Sequence, residues 1–390
     1  MIQPSLSPDL RGRWESMQAA MKKQGTNGCL LTIDVNLYYM TGRVFNGYFY
    51  LPIEGDPWFF VKRPQSFKGK NVVFLHKPEQ LAELFSVNNI KMPKKLLLEA
   101  DELSYTMYMR IFNALQPEEV ENATLTIHRL REIKRPYEIE QLRYSALKHA
   151  ETYHHIPECY KPGMTDIELQ AEIELQMRKN GSYGIFHTFG MNMEIFMGSI
   201  LVGDNALEPS PYDFALGGKG ISASMPIGAN GTPIREGNTI MVDMAGNYTP
   251  YTTDMTRVYA VGKISDEAYH AHQVSRDIEQ QIMRIAKPGT ACADLYNLSL
   301  EIATKEGLGH CFMGHHQQAK FVGHGIGIQI NELPVLAPRS HEKLKANMVF
   351  ALEPKFVIPG VGAVGIENSF LVTPTGLEKL THFEEDIIQL

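Results

Sequence analysis

Cysteine is scarce in this chain, with four in 390 residues: Cys29, Cys159, Cys292 and Cys311. They are scattered without metal-binding spacing, and they fit reduced thiols in a cytoplasmic protein. No run of roughly 18 apolar residues exists, so no membrane span is expected. The opening stretch, Met1 to Met17, has no apolar core of the kind a secretory signal carries. No basic run stands out either, and the formal net charge is −7, which argues against a general nucleic-acid binder. The glycine-rich Leu216-Gly-Gly-Lys-Gly220 invites a phosphate-loop reading, but the Walker spacing GxxxxGK[ST] is absent. A substrate-facing loop or a plain turn is expected there instead.

What is present reads as an ordinary soluble globular chain, with 44% hydrophobic and 21% charged residues. Its length suggests two domains or one large one. Leu10, Trp14, Met17 and Met21 recur at helical spacing, so residues 9–24 are expected to form an amphipathic helix. Strands are expected at Gly28–Ile33, Trp58–Val61, Asn71–Leu75 and Lys95–Glu99, with helices around 79–86 and 103–115. This alternation predicts a small α/β domain over 1–129. A long helix is expected to open at Arg131, at the start of a second domain over 130–390. In that second domain Lys161-Pro-Gly-Met-Thr-Asp166 is echoed by Lys287-Pro-Gly-Thr-Ala-Cys292, about 126 residues on. Each echo turns the chain between helices, which suggests a duplicated αβ half. Further strands are expected at Gly184–Phe189 and Ile195–Gly203.

Five residues in or beside short apolar runs point to chemistry: Asp243, Asp254, His324, Glu353 and Glu367. An unpaired charge in such a run is costly. A single acid at a strand end is usually a cap or an ion-pair partner. Four carboxylates and an imidazole on strand-like segments look instead like a cage for a hard or borderline cation. A turn at Asn247-Tyr-Thr-Pro250 would join Asp243 and Asp254 in one hairpin.

The order of these five, with His324 in Gly-His-Gly-Ile-Gly and Glu353 in Glu-Pro, resembles the pita-bread metallohydrolases. Within that superfamily it is most similar to the Xaa-Pro dipeptidase and aminopeptidase P branch. The resemblance implies an α+β pita-bread fold with pseudo-twofold halves, preceded by a smaller creatinase-type α/β domain. It also implies a homodimer, and two divalent ions about a bridging water or hydroxide. Glu353 would be both ligand and general acid/base, and Glu367 would bridge the ions. Oxygen-rich ligation with one imidazole leans toward Mn or Fe, with Co and Zn open.

Two positions depart from the peptidases. The family carries a histidine seven residues after the metal histidine, where this chain has Asn331. It carries another at the end of Gly-x-Asn-Ala-x-x-Pro-His, where this chain has Ser210. Those imidazoles bind the substrate carbonyl, and losing one oxyanion donor in a hydrolase costs roughly 3–4 kcal/mol in the barrier. The Asn331 amide, the Ser210 hydroxyl or His187 could stand in, although His187 also reads as a packed core residue. His315 and His316 read as loop residues.

The leading expectation is therefore a metal-dependent peptidase cutting beside proline. The alternatives are a non-peptidase enzyme on the same metal site, either a lyase or a C–N hydrolase, or a silent binding protein. Peptides or other small molecules are the expected partners, with no nucleic acid and no membrane.

Overall fold

The apolar runs of the first third become the strands of a single sheet. The structure is a computed structural model and describes residues 7–190, 196–212 and 214–390. The chain forms two compact units, Met1–Arg131 and Glu132–Leu390.

In the first unit, α1 (Ser7–Gln24) buries Leu10, Met17 and Met21. Strands β1 (Gly28–Leu31), β2 (Asn46–Pro52), β3 (Trp58–Arg63), β4 (Val72–Phe74), β5 (Lys95–Leu98) and β6 (Glu119–Asn122) form a mixed sheet. Its order is β4-β3-β2-β1-β5-β6. Central β1 is apolar on both faces and buried throughout, as a strand covered on both sides must be. Helices α2 (Asp34–Thr41), α3 (Leu81–Val87), α4 (Tyr105–Leu115) and α5 (Thr124–Glu132) complete the chain order. Gly42, at φ 74°, ends α2 in the left-handed conformation that glycine tolerates. The start of α2 is held by buried Glu99, whose carboxylate accepts from the N–H groups of Thr32 and Ile33 and from Asn36.

The helix expected to open at Arg131 begins five residues later. Pro136 occupies the first turn of α6 (Pro136–Tyr153). A proline is favoured there, and it pushes the residue before it out of helical geometry. After α7 (Ile156–Cys159) and α8 (Asp166–Lys179) comes β7 (Gly198–Val202), then the long pair β8 (Thr239–Gly246) and β9 (Thr253–Ala260). Next are α9 (Asp266–Ile285), α10 (Cys292–Lys305), β10 (Gly323–Gly325), β11 (Glu332–Val335) and β12 (Val349–Leu352). The last strands are β13 (Lys355–Ile358), β14 (Gly362–Gly365), β15 (Asn368–Val372), β16 (Leu377–Lys379) and β17 (Ile388–Gln389). They make a four-stranded sheet β17-β9-β8-β7, a five-stranded sheet β11-β10-β12-β15-β16 and the hairpin β13-β14.

The two echoed turns play equivalent parts. Asp166 N–H donates to Thr232 O and Ile234 N–H to Met164 O, ahead of β8. Cys292 N–H donates to Glu342 O and Leu344 N–H to Thr290 O, ahead of β12. Each turn thus anchors the segment that runs into a strand carrying or directly preceding a candidate ligand, Asp243 in β8 and Glu353 just after β12, which is the duplicated half expected from the sequence.

Two expected strands differ. Residues 184–189 are irregular, with the bridge between His187 and Gln329 as their β-pairing among the described residues, because glycine and polar residues interrupt the apolar run. The strand expected from Ile195 begins at Gly198, and Ile195 itself lies outside the described residues.

Candidate metal centre

Asp243 and Asp254 share one face of the β8–β9 hairpin. Asp243 is paired with Thr256 and Ala245 with Asp254. Positions two apart on a strand face the same way, so the carboxylates are diagonal neighbours. His324 on β10 is paired with Ala351 of β12, and Glu353 follows two residues on, also on that face. Glu367 precedes β15 and bridges to Thr256 of β9. Two sheets therefore deliver five side chains to one cleft.

The cleft is lined by Asp243, Asp254, His324, Glu353 and Glu367, and its apolar walls include Phe186, Phe214, Leu216, Ile227, Phe321 and Ile330. Low-dielectric walls strengthen every electrostatic interaction inside them. Backbone around the cluster is tightly held. The Arg257 guanidinium, fully buried, donates to Thr256 O, Glu367 O, Asn368 Oδ1, Phe383 O and Glu384 O. Ser369 Oγ accepts from Asp254 N–H and donates to Asp254 O.

The centre of the cluster holds a residue that the sequence reading passed over. Lys355 Nζ lies 2.8 Å from Asp243 Oδ2, 2.8 Å from Glu353 Oε2 and 3.0 Å from Glu367 Oε2, and its side chain is 0% exposed. Burial opposes the ammonium, but the three carboxylates outweigh it and hold the charge well beyond the usual lysine range. Burial also acts on Asp243, whose carboxyl nonetheless ends below its ordinary value because Lys355 faces it. One sequence signal pointed to Lys355: two residues after Glu353, on extended chain, it shares that residue's face inside an apolar run.

The remaining donors are open. Glu353 Oε1 and Glu367 Oε1 are buried without a hydrogen-bond partner. His324 Nε2 lies 3.5 Å from Glu353 Oε1 and 3.8 Å from Asp254 Oδ2. Donor atoms of Asp254, His324 and Glu367 all lie within 4.8 Å of one another. Two donors about 2.1 Å from a common ion stand roughly 3–4 Å apart, so this spacing suits one. His324 Nδ1 faces Gly325 O at 3.2 Å, which leaves Nε2 for the ion. Charge points the same way. Four carboxylates and one ammonium share the cleft, and burial drives the Asp254 carboxyl well above its usual range and that of Glu367 up to about 8. A second cation would restore the charged forms, so the residues present fit a divalent ion.

The proposed replacements for the family histidines are less concentrated. Asn331 lines the cleft, but its amide is paired with the Phe189 backbone, accepting from N–H and donating to O, both at 2.7 Å. Ser210 lines a neighbouring hollow with His315, and its hydroxyl oxygen accepts from Tyr212 N–H. His187 is exposed and lies outside the cleft lining; its carbonyl accepts from Ile330 N–H. The structure thus brings Asn331 to the cleft and neither Ser210 nor His187, because the turn at 210–212 and the irregular course of 184–189 direct them elsewhere. In the glycine-rich loop Leu216 borders the cleft, while Lys219 is exposed.

Known proteins agree with this geometry. Residues 13–133 match the Creatinase/Prolidase N-terminal domain, and residues 140–374 match metallopeptidase family M24. The uncharacterized peptidase YqhT of Bacillus subtilis (strain 168) is 27% identical over 390 residues, covering 96% of this chain and 99% of its own. The Xaa-Pro dipeptidase from Bacillus anthracis is similar in structure, with a TM-score of 0.79 and 25% identity over 98% of this chain and 100% of that one. The X-Pro aminopeptidase from Thermotoga maritima MSB8 shares the fold, with a TM-score of 0.79 and 21% identity over 97% and 99% of the two chains. Since the family match alone spans more than half of the sequence, this protein is a peptidase belonging to metallopeptidase family M24, with the pita-bread fold and a creatinase-type amino-terminal domain.

Proposed function

We propose that this peptidase is metal-dependent and hydrolyses the bond next to proline, as an Xaa-Pro dipeptidase or aminopeptidase P type enzyme. The observation that carries the reading is the set of open donors, from Asp254, His324, Glu353 and Glu367, gathered in an apolar-walled cleft. Likeness to the Xaa-Pro dipeptidase of Bacillus anthracis supports the proline preference.

Asp254, His324, Glu353 and Glu367 would hold a divalent ion, which would supply Lewis acidity toward a water and a substrate carbonyl. Glu353 Oε1 is the open carboxylate oxygen beside His324, suited to take a proton from the attacking water and pass it to the leaving amine. Phe186, Phe214 and Ile330 offer apolar surface for a prolyl ring and keep bulk water from the cleft. Asn331 is the remaining candidate for contact with the substrate carbonyl, as the cleft-lining residue where the family has a histidine. We extend the reading to Mn or Fe as the ion, to a homodimer and to a cytoplasmic setting, which the four free cysteines support.

The test strips the protein of metal, reloads it with Mn or Co, and assays Xaa-Pro dipeptides and Xaa-Pro-Yaa tripeptides beside proline-free controls. Metal-dependent release of the residue before proline is expected, reduced at least about 10²-fold in Glu353→Gln. Cleavage confined to proline-free peptides overturns the proline preference, and undiminished turnover in Glu353→Gln overturns the role of that residue.

A further inference from the structure

The resemblance of this chain to two-metal peptidases implies two cation places. We propose that the Lys355 ammonium is a built-in cation standing in for one of the two ions, so that the protein takes a single divalent ion, held by Asp254, His324, Glu353 and Glu367. This inference rests on the metal-dependent reading above.

The geometry divides the donors into two sets without overlap. Asp243 Oδ2, Glu353 Oε2 and Glu367 Oε2 each face Lys355 Nζ, at 2.8, 2.8 and 3.0 Å. An ammonium has three hydrogens, so these three carboxylate oxygens use all of them. The other oxygens of the two glutamates, Glu353 Oε1 and Glu367 Oε1, are buried without hydrogen-bond partners; Glu353 Oε1 lies 3.5 Å from His324 Nε2, and Glu367 offers a carboxylate oxygen within 4.8 Å of donor atoms of Asp254 and His324. The two glutamates therefore bridge an ammonium on one side and the open donors on the other.

A second ion cannot enter beside the lysine. Bound to the same three oxygens at about 2.1 Å, it would fall inside the space that Nζ occupies. Eviction is also obstructed, because Lys355 is the first residue of β13, paired to Gly365 of β14. Gly365, at φ 131°, has no room for a Cβ: one would meet Pro354 O at 2.5 Å and Lys355 Cα at 3.0 Å. The backbone carrying Lys355 is thus locked against its neighbour, and its fully buried side chain has no solvent side to swing toward. Asp243 reaches Lys355 through Oδ2 at 2.8 Å, which groups that oxygen with the ammonium and not with the open donors.

The experiment counts ions. Wild-type protein, Lys355→Ala, Lys355→Arg and Asp243→Asn are dialysed against Mn or Co, and bound metal per chain is measured by elemental analysis and by calorimetric titration. One ion is expected for wild type, for Lys355→Arg and for Asp243→Asn, and two for Lys355→Ala. Two ions in wild type, or a fall below one in Asp243→Asn, overturn the inference while leaving the metal-dependent reading intact. One ion in a folded Lys355→Ala overturns it as well, since the vacated place would then not be a metal place. No ion in any protein overturns the metal-dependent reading itself. Should Lys355→Ala fail to fold, wild type, Lys355→Arg and Asp243→Asn still decide the question.

Discussion

At the scale of single residues, the cluster shows how burial converts side-chain identity into function. The same carboxylate is a solvated charge on a surface and a cation seat in an apolar cleft. Histidines in this fold illustrate the converse, held neutral by their surroundings. His272 on α9 accepts from Gly365 N–H at Nδ1 and faces Glu385 O with Nε2 at 2.7 Å. Those roles suit the neutral ring, whereas a second N–H at Nδ1 would oppose that of Gly365. Burial pushes its pKa down to about 4, and that of His149 to about 3. Below about pH 6.5 the unfolded chain takes up a proton that folded His272 refuses until about pH 4, so stability falls as pH drops through that window and is indifferent to this residue above it. The loss reaches about 3 kcal/mol for His272. Denaturant unfolding between pH 7 and 4 should show a shallower decline in His272→Gln than in wild type, and parallel declines would refute this account.

At the scale of elements, the two echoed turns carry the same hydrogen-bond scheme with different helix starts. Thr165 caps α8 through its hydroxyl, and Glu168 reaches back to the Thr165 N–H. Ala291 occupies the matching position before α10, in extended geometry, with no side-chain cap. Thr165→Ala should therefore cost about 1 kcal/mol, whereas Ala291→Ser should gain about 0.5–1 kcal/mol. Chemical denaturation midpoints of the two variants read this directly, and a destabilised Ala291→Ser would count against the equivalence of the two helix starts. Both turns were readable from Pro-Gly and flanking helical periodicity. The irregular 184–189 segment was not, because a short apolar run has the same appearance whether or not a partner strand lies beside it.

For the whole molecule, the cluster makes stability depend on its cation. Four carboxylates face one ammonium in the cleft, and an ion that binds only the folded state stabilises it by mass action. At a hundredfold excess over Kd the gain is about 2.7 kcal/mol, on the order of several degrees in melting temperature for a unit of this size. Scanning calorimetry should show this rise on adding Mn or Co and its reversal by a chelator. A melting temperature indifferent to both would mean that no ion binds the folded state preferentially. Among the described residues no helix is long and apolar enough to cross a membrane.

The sequence by itself determined the type and order of most elements, the duplication, and the five side chains that meet in the cleft. These are local signals: apolar period, turn chemistry, and charges placed where charges are costly. What it could not determine is which oxygen of each carboxylate faces what. Lys355 stood in plain view beside Glu353, but its role depends on β8, β12, β13 and the start of β15 converging from more than a hundred residues of chain. The same holds for Ser210 and His187, which lie outside the cleft although their positions in the sequence suited it. Only tertiary packing sets such distances, because strand pairing between remote segments decides where a side chain ends.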